Sequence, residues 1–424
     1  MPGTSAVCRR LQDHLVKRKI AAFCALLVAG LIPSLLSAVG LFLSLWIVVP
    51  APNRLLLPLG VGAPEVSPWL VGLNTIALLL ALVGIHKSWI YQVALVCSVI
   101  GIILSSLPLM QLPAANTRMA AEMQVVLGDD YLNPVPQAVQ AHLRPHPFVL
   151  ADAFRGIFPG EVRCDRGIPF AAPDGVSLTL NLYRPQVIGS YPTIVVIYGG
   201  AWREGSPNHD ELFSRYMAAQ GYTVVAIDYR HAPQYQFPIQ LEDVQTALMY
   251  IQQHAKELEV DIERVVLMGR SAGAHLAMLA TYRSLVFPVR AVINYYGPVD
   301  LIQGYNDPPI PDPIDTQRVL KDFLGGTPNE QADLYQKASP ISYVKPSLPI
   351  SLLVYAGRDH LVQAKFGRAL YEKLRTTGNQ TVWLEIPWAE HAFDAVFSGV
   401  SNQLALFYTE RFLARILYAK REIA

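Results

Sequence analysis

The stretch R264-VVLMGRSAGAHLAMLA-280 changes character twice in seventeen residues. Val265 to Met268 is a short continuous apolar run, as in a strand buried on both faces. Gly269-Arg270-Ser271-Ala272-Gly273 follows at once, and Ala274 to Ala280 is a run of mostly small residues with helical character. With Gly near 7% of residues and Ser similarly common, G-x-S-x-G arises by chance in roughly one 400-residue chain in seven. The pattern alone therefore decides little, and its context decides more. A serine at the apex of a tight strand-to-helix turn needs glycine on both sides for close backbone approach. The helix N-terminus beyond it favours developing negative charge.

Outward from this turn, strand, loop and helix alternate. Strands are expected at Ser177–Tyr183, Thr193–Tyr198, Thr223–Asp228, Arg264–Gly269, Ala291–Tyr296, Ser351–Gly357 and Thr381–Ile386, with helices near 209–220, 239–257, 272–284, 363–377 and 402–418. Such alternation specifies an α/β fold, a mostly parallel sheet flanked by helices. The segment Gln303 to Ser339, rich in Pro, Asp and Gly, reads as an excursion between two strands that serves as a cap.

Three further signals surround Ser271. Tyr198-Gly199-Gly200-Ala201-Trp202 follows a strand, and its glycines let backbone N–H groups face a site. With the Ala272 N–H, those of Gly200 and Ala201 suit an oxyanion hole. Asp359 follows the strand Leu352–Tyr355, and His391 follows the last strand. A histidine can take and return a proton near neutrality, and an acid orients its ring. Asp300 also follows a strand and is the main competitor of Asp359; Glu385, Glu390 and Asp394 compete less well. His275 reads as packed within its helix, and Asp228, Tyr229, Arg230 and Asp243 read as braces beneath the site. No zinc-ligand spacing and no phosphate-binding glycine loop occurs, so no metal, nucleotide or other cofactor is expected.

The segments YGGAW (198–202), DYRHAP (228–233), GRSAGAHLA (269–277), FLGGTP (323–328), ASPISYV (338–344), GRDHLV (357–362) and EHAF (390–393) together resemble the α/β-hydrolase esterases of the hormone-sensitive-lipase-like and feruloyl/acetyl-xylan-esterase-like groups. The resemblance covers about residues 161–424. It implies Ser271 as nucleophile, Asp359 as acid, His391 as base, and Gly200, Ala201 and Ala272 as oxyanion donors. The chain departs from the family at Tyr198, where His is usual, and at Ala201, where Gly is common. Because the donors are backbone groups, the departures bear on acyl preference and loop rigidity rather than on activity.

The first part of the chain is of another kind. Of 424 residues, 52% are hydrophobic and 16% charged, with net charge +1, which argues against a nucleic-acid partner. Residues 1–114 hold only seven basic and two acidic side chains, a net +5, and the remainder carries −4. Ile20–Asn53, Val66–Ile85 and Ser88–Thr117 are uncharged, with apolar centres at Ile20–Val49, Trp69–Ile85 and Trp89–Met110. A membrane-crossing helix needs about 20 apolar residues. The expectation is an α-helical membrane module of three spans over 1–114, a linker or lid over 115–160 with a short helix at Met119–Leu127, and the hydrolase domain over 161–424. A cleaved signal peptide fits poorly, since the first apolar run far exceeds the usual 7–15 residues.

Arg9, Arg10, Lys17, Arg18, Lys19 and Lys87 against Arg54 and Arg118 put the N-terminus in the cytoplasm, and three crossings put the catalytic domain on the non-cytoplasmic side of a multi-pass protein. Cys164 is the one cysteine of the outer domain. The expected activity is that of a membrane-anchored serine carboxylesterase acting through an acyl-enzyme. Its partners are the lipid bilayer and a small-molecule or lipid-borne ester. By resemblance, a membrane-bound prenylcysteine methylesterase is one specific version. Acyl transfer by the same residues, and an inactive tethered binding protein, are the rival readings.

Overall fold

The computed structural model describes residues 30–283 and 286–419. The chain divides into two compact units: residues 1–49 with 66–109, and residues 50–65 with 110–424. The segment Pro50–Glu65 thus groups with the second unit rather than with the apolar stretches on either side of it in the chain.

In the first unit the helices are α1 (Gly30–Leu45), α3 (Ser67–Gly84) and the first half of α4 (Trp89–Leu127). Among the described residues, α3 and α4 are long and apolar enough to cross a membrane, two helices rather than the three expected spans. α1 is apolar but short, and residues 20–29 of the first apolar stretch lie outside the described residues. The Asn74 side chain is buried here. Its Nδ2 donates to Ser44 Oγ at 3.0 Å and to the Leu70 carbonyl at 2.9 Å. A Cβ at Gly40 or Gly101 would overlap this amide. Small residues around a hydrogen-bonding side chain are how apolar helices associate where no hydrophobic force drives them.

In the second unit the α4 helix runs on to Leu127, so the separate short helix expected at Met119–Leu127 is its continuation. Pro113 costs the helix a hydrogen bond, but Ala115, Met119 and Met123 form a buried stripe four residues apart. Asn116 Oδ1 accepts from Tyr408 Oη at 2.6 Å and Glu122 Oε1 from Tyr371 Oη at 2.7 Å. The segment Leu57–Glu65, between the first two apolar stretches, is a short helix, α2. Two further short helices, α5 (Gln137–Gln140) and α6 (Leu150–Arg155), precede the sheet.

The sheet has eight strands in the order β1-β2-β4-β3-β5-β6-β7-β8. These are β1 (Arg163–Ala171), β2 (Leu178–Arg184), β3 (Tyr191–Ile197), β4 (Thr223–Ile227), β5 (Val260–Arg270), β6 (Ala291–Tyr295), β7 (Ile350–Ala356) and β8 (Thr381–Ile386). β1 and β2 are antiparallel to their neighbours, and the rest pair in parallel. Strand β1 was not expected. It is an edge strand carrying Arg163, Asp165, Arg166, Gly167 and Pro169, and an edge tolerates charge and proline that a central strand does not. The flanking helices are α7 (Glu211–Ala219), α8 (Ile239–Gln253), α9 (Ala272–Arg283), α13 (Ala364–Thr376) and α14 (Val400–Tyr418); the excursion between β6 and β7 folds as α10 (Leu301–Asn306), α11 (Thr316–Leu324) and α12 (Ala332–Lys337).

Because β3 and β5 to β8 are parallel, the loops leaving their C-terminal ends gather on one edge of the sheet, the usual place for a site in such folds. Those loops hold Gly199–Trp202, Ser271, Asp359 and His391.

Candidate active site

Ser271 directly follows β5 and precedes α9, with φ at +50°. A left-handed serine is strained, and the surroundings hold it there. Its N–H donates to the Tyr295 carbonyl at 2.9 Å. A Cβ at Gly273 would overlap the Ile197 carbonyl, and one at Gly269 would overlap the Gly273 backbone. The elbow closes because these two positions lack side chains.

His391 lies between Ser271 and Asp359. Its Nε2 is 3.0 Å from Ser271 Oγ, and its Nδ1 is 2.8 Å from Asp359 Oδ2. The other carboxylate oxygen of Asp359 accepts the N–H groups of Leu361 and Val362 at 2.8 and 2.7 Å. Burial pulls the imidazole down, but the charge and hydrogen bond of Asp359, with Glu390 and Asp394 behind, outweigh it and leave His391 above its ordinary range.

The competing acids are engaged elsewhere. Asp300 caps α10, accepting the Gln303 N–H at 3.0 Å. Glu385 pairs with Arg368. Glu390 binds His360 Nδ1 at 2.6 Å and the N–H groups of His360 and His391. Asp394 holds Arg270 Nε and the Tyr296 hydroxyl.

The loop after β3 turns sharply, with φ of +133° at Gly200, +53° at Ala201 and +58° at Trp202. At Gly200 a Cβ would overlap the Glu204 carbonyl. Tyr198 holds the loop from below. Its hydroxyl donates to Asp228 Oδ1 at 2.5 Å and meets His231 Nε2 at 2.9 Å, and its ring stacks on Tyr229. Arg230 and Asp243 pair beneath, with Nη2 to Oδ1 at 2.7 Å and Nε to Oδ2 at 2.9 Å. His275 is buried. It accepts from Trp202 Nε1 at 3.2 Å on Nδ1 and reaches the Ala338 carbonyl at 2.6 Å through Nε2. Burial pushes this imidazole down to about 4, so it is neutral and acts as a brace.

Ser271, Ala272, His391, Gly200 and Ala201 face one cavity of about 740 Å³. Val299, Leu301, Val319, Leu320, Val362 and Phe366 give it an apolar side. Of the nearby aromatic residues, Trp202 lines it, whereas Tyr235, Phe237, Tyr295 and Phe393 do not.

A family described as BD-FAE matches residues 180–374. The probable carboxylic ester hydrolase LipM of Mycobacterium tuberculosis is 28% identical, over 74% of this chain and 76% of its own. Esterase LipQ of the same organism is 30% identical, over 58% and 63%. Esterase 2 of Thermogutta terrifontis, solved phosphonylated by sarin, superposes with a TM-score of 0.52 at 24% identity, over 63% of this chain and 99% of that one; this is a likeness of fold. The chain is a serine ester hydrolase. The sheet and flanking helices of the esterase are those of the α/β-hydrolase fold.

Two groups in the esterase's cavity were not anticipated. Arg270, the second residue of the elbow motif, is buried beside Asp394 and Asp210, the latter at 3.2 Å. Burial opposes its charge, but the two carboxylates outweigh that and raise it further. A charged residue inside a glycine motif is the sequence signal that could have pointed to this cluster. Arg54 and Leu57, from the segment before α3, also line the cavity, and no local signal marks them.

Proposed function

We propose that the chain is a membrane-anchored carboxylesterase in which Ser271, His391 and Asp359 act as a catalytic triad. The reading rests on one observation above the others, the 3.0 and 2.8 Å contacts His391 makes with Ser271 and Asp359. Ser271 Oγ attacks the ester carbonyl carbon while His391 Nε2 takes the hydroxyl proton. The carbonyl oxygen becomes an oxyanion, received by the N–H groups of Gly200, Ala201 and Ala272. The intermediate collapses, His391 returns the proton to the departing alkoxide, and an acyl group remains on Ser271. Water then repeats the sequence, freeing the acid. Asp359 accepts from Nδ1 throughout and stabilises the imidazolium.

The anchor is the N-terminal module over 1–114, with α3, α4 and the first apolar stretch as its spans and Pro50–Glu65 as the loop between the first two that goes with the catalytic part; 115–160 joins it to the catalytic part over 161–424. The N-terminus is cytoplasmic and the catalytic part lies on the other side. That Pro50–Glu65 lies on the same side as the catalytic part is supported by its forming one compact unit with the residues from 110 on. Two segments on the same side of a bilayer must be joined by an even number of crossings, and α3 and α4 are the two candidates between them. A bilayer-borne ester is the substrate class the anchor favours.

The test is hydrolysis of a short-chain aryl ester by the full-length protein and its Ser271→Ala variant. The variant should lose at least about 10³-fold in kcat, because nucleophile loss in a triad costs more than that. A rate within about tenfold of wild type would sink the assignment.

A further inference from the structure

The segment Pro50–Glu65 is fastened at one end to the loop that carries Gly200 and Ala201 and at the other to the first turn of α14. At its start, the Arg54 guanidinium meets Glu204 Oε1 at 2.6 Å. Glu204 lies two residues past Trp202, and its N–H donates to the Gly200 carbonyl at 3.2 Å, so Arg54 holds the loop bearing the Gly200 and Ala201 N–H groups. At its end, the buried Glu65 accepts the Ser401 N–H at 2.8 Å, in the first turn of α14. A Cβ at Gly399 would overlap the same carboxylate. The loop Ala392–Phe397, which follows His391, leads into that turn and also lines the cavity through Ala395 and Phe397. Between the two fastenings stands Leu57, half-buried and facing the same cavity as Ser271.

We propose that Pro50–Glu65 is a specificity-determining wall of the catalytic cavity, and that Leu57 packs against the long apolar arm of the ester. The inference rests on the esterase reading above and deepens it. An acetyl ester is too small to fill a cavity of about 740 Å³, whereas an ester with a medium or long alkyl arm reaches more of its lining. Leu301, Val319 and Leu320 line the same cavity, so such an arm meets apolar surface beyond Leu57 as well. The Arg54–Glu204 pair is mostly exposed and hence easily opened, while the Glu65 end is buried. The segment that joins two candidate spans therefore shapes the site as well as tethering it.

The experiment compares full-length wild type, Leu57→Ala and Leu57→Phe in the same detergent. It uses two probe series: p-nitrophenyl esters with acyl chains from acetate to decanoate, and acetate esters of alcohols from methanol to decanol. The readout is the ratio of kcat/KM for the longest to the shortest member. In the series whose varied arm passes Leu57, Leu57→Ala should lower that ratio about tenfold, the scale of a lost apolar contact in a pocket. Leu57→Phe narrows the cavity and should move the best-accepted chain to a shorter one. Equal extents of fluorophosphonate labelling across the three proteins establish that each is folded at the site. If either variant labels as wild type does while its ratios stay within twofold of wild type in both series, the wall has no such role, and the esterase reading stands. If wild type hydrolyses neither series and takes no label, the esterase reading fails and this inference with it.

Discussion

At His391 two opposing effects meet, and their balance sets when the site can work. Burial favours the neutral ring, and the neighbouring carboxylates favour the charged one and win. The proton acceptor must be neutral, and its raised value keeps it protonated to higher pH. kcat/KM should therefore rise with pH along a limb whose midpoint lies above the ordinary 6.5. A profile measured from about pH 5 to 9 checks this, and a midpoint below 6.5 would contradict it. The acids should separate as sharply. Asp359→Asn leaves the ring in the wrong tautomer and should lower kcat by roughly 10²–10⁴-fold. Asp300→Asn keeps a good capping side chain on α10 and should change stability by less than about 1 kcal/mol, with kcat near wild type. Side-by-side kcat values, with folding followed by circular dichroism, decide the matter; the reverse ranking would reassign the acid. Ser271, Asp359 and His391 could be picked out from sequence because each sits at the end of a strand-forming run. Arg54 and Leu57 could not, because nothing local connects them to a loop 150 residues away.

Among the elements, α2 and α14 meet at one buried carboxyl. Glu65 accepts a helix N-terminal N–H, which favours its ionised form, yet desolvation dominates and pushes it up to about 8. Its folded value exceeds the ordinary 4.5, so the stability it contributes is fully present below 4.5 and is lost as pH rises through about 8. Glu65→Gln keeps an acceptor for Ser401 but does not titrate. The melting temperature of wild type minus that of Glu65→Gln should fall as pH rises from about 5 to 8 and then level off. A flat difference, or one that rises, would contradict the account. Sequence periodicity found the buried central strands because their apolar runs need no partner to be recognised. It missed β1, whose charges find partners far along the chain, Arg163 in Glu259, 96 residues on, and Arg166 in Glu211. It read Met119–Leu127 as a separate short helix because composition changes beyond the apolar centre, whereas the buried stripe of Ala115, Met119 and Met123 carries one helix past Pro113.

At the scale of the whole molecule, Pro50–Glu65 stands in the chain between the first apolar stretch and α3, yet forms one compact unit with the residues from 110 on. With α3 and α4 crossing as a pair, a tag inserted after Asn53 and a tag at the C-terminus should be digested by external protease on sealed cells, and an N-terminal tag only after lysis. Protection of the C-terminal tag alone would break the pairing. The central claim is that Ser271 is the residue that becomes acylated. Mass spectrometry of the full-length protein after a fluorophosphonate probe tests it most directly. The account predicts a single adduct, on the peptide containing Ser271, sharply reduced in His391→Ala; an adduct on another residue, or undiminished ester hydrolysis by protein that takes no label, would contradict it.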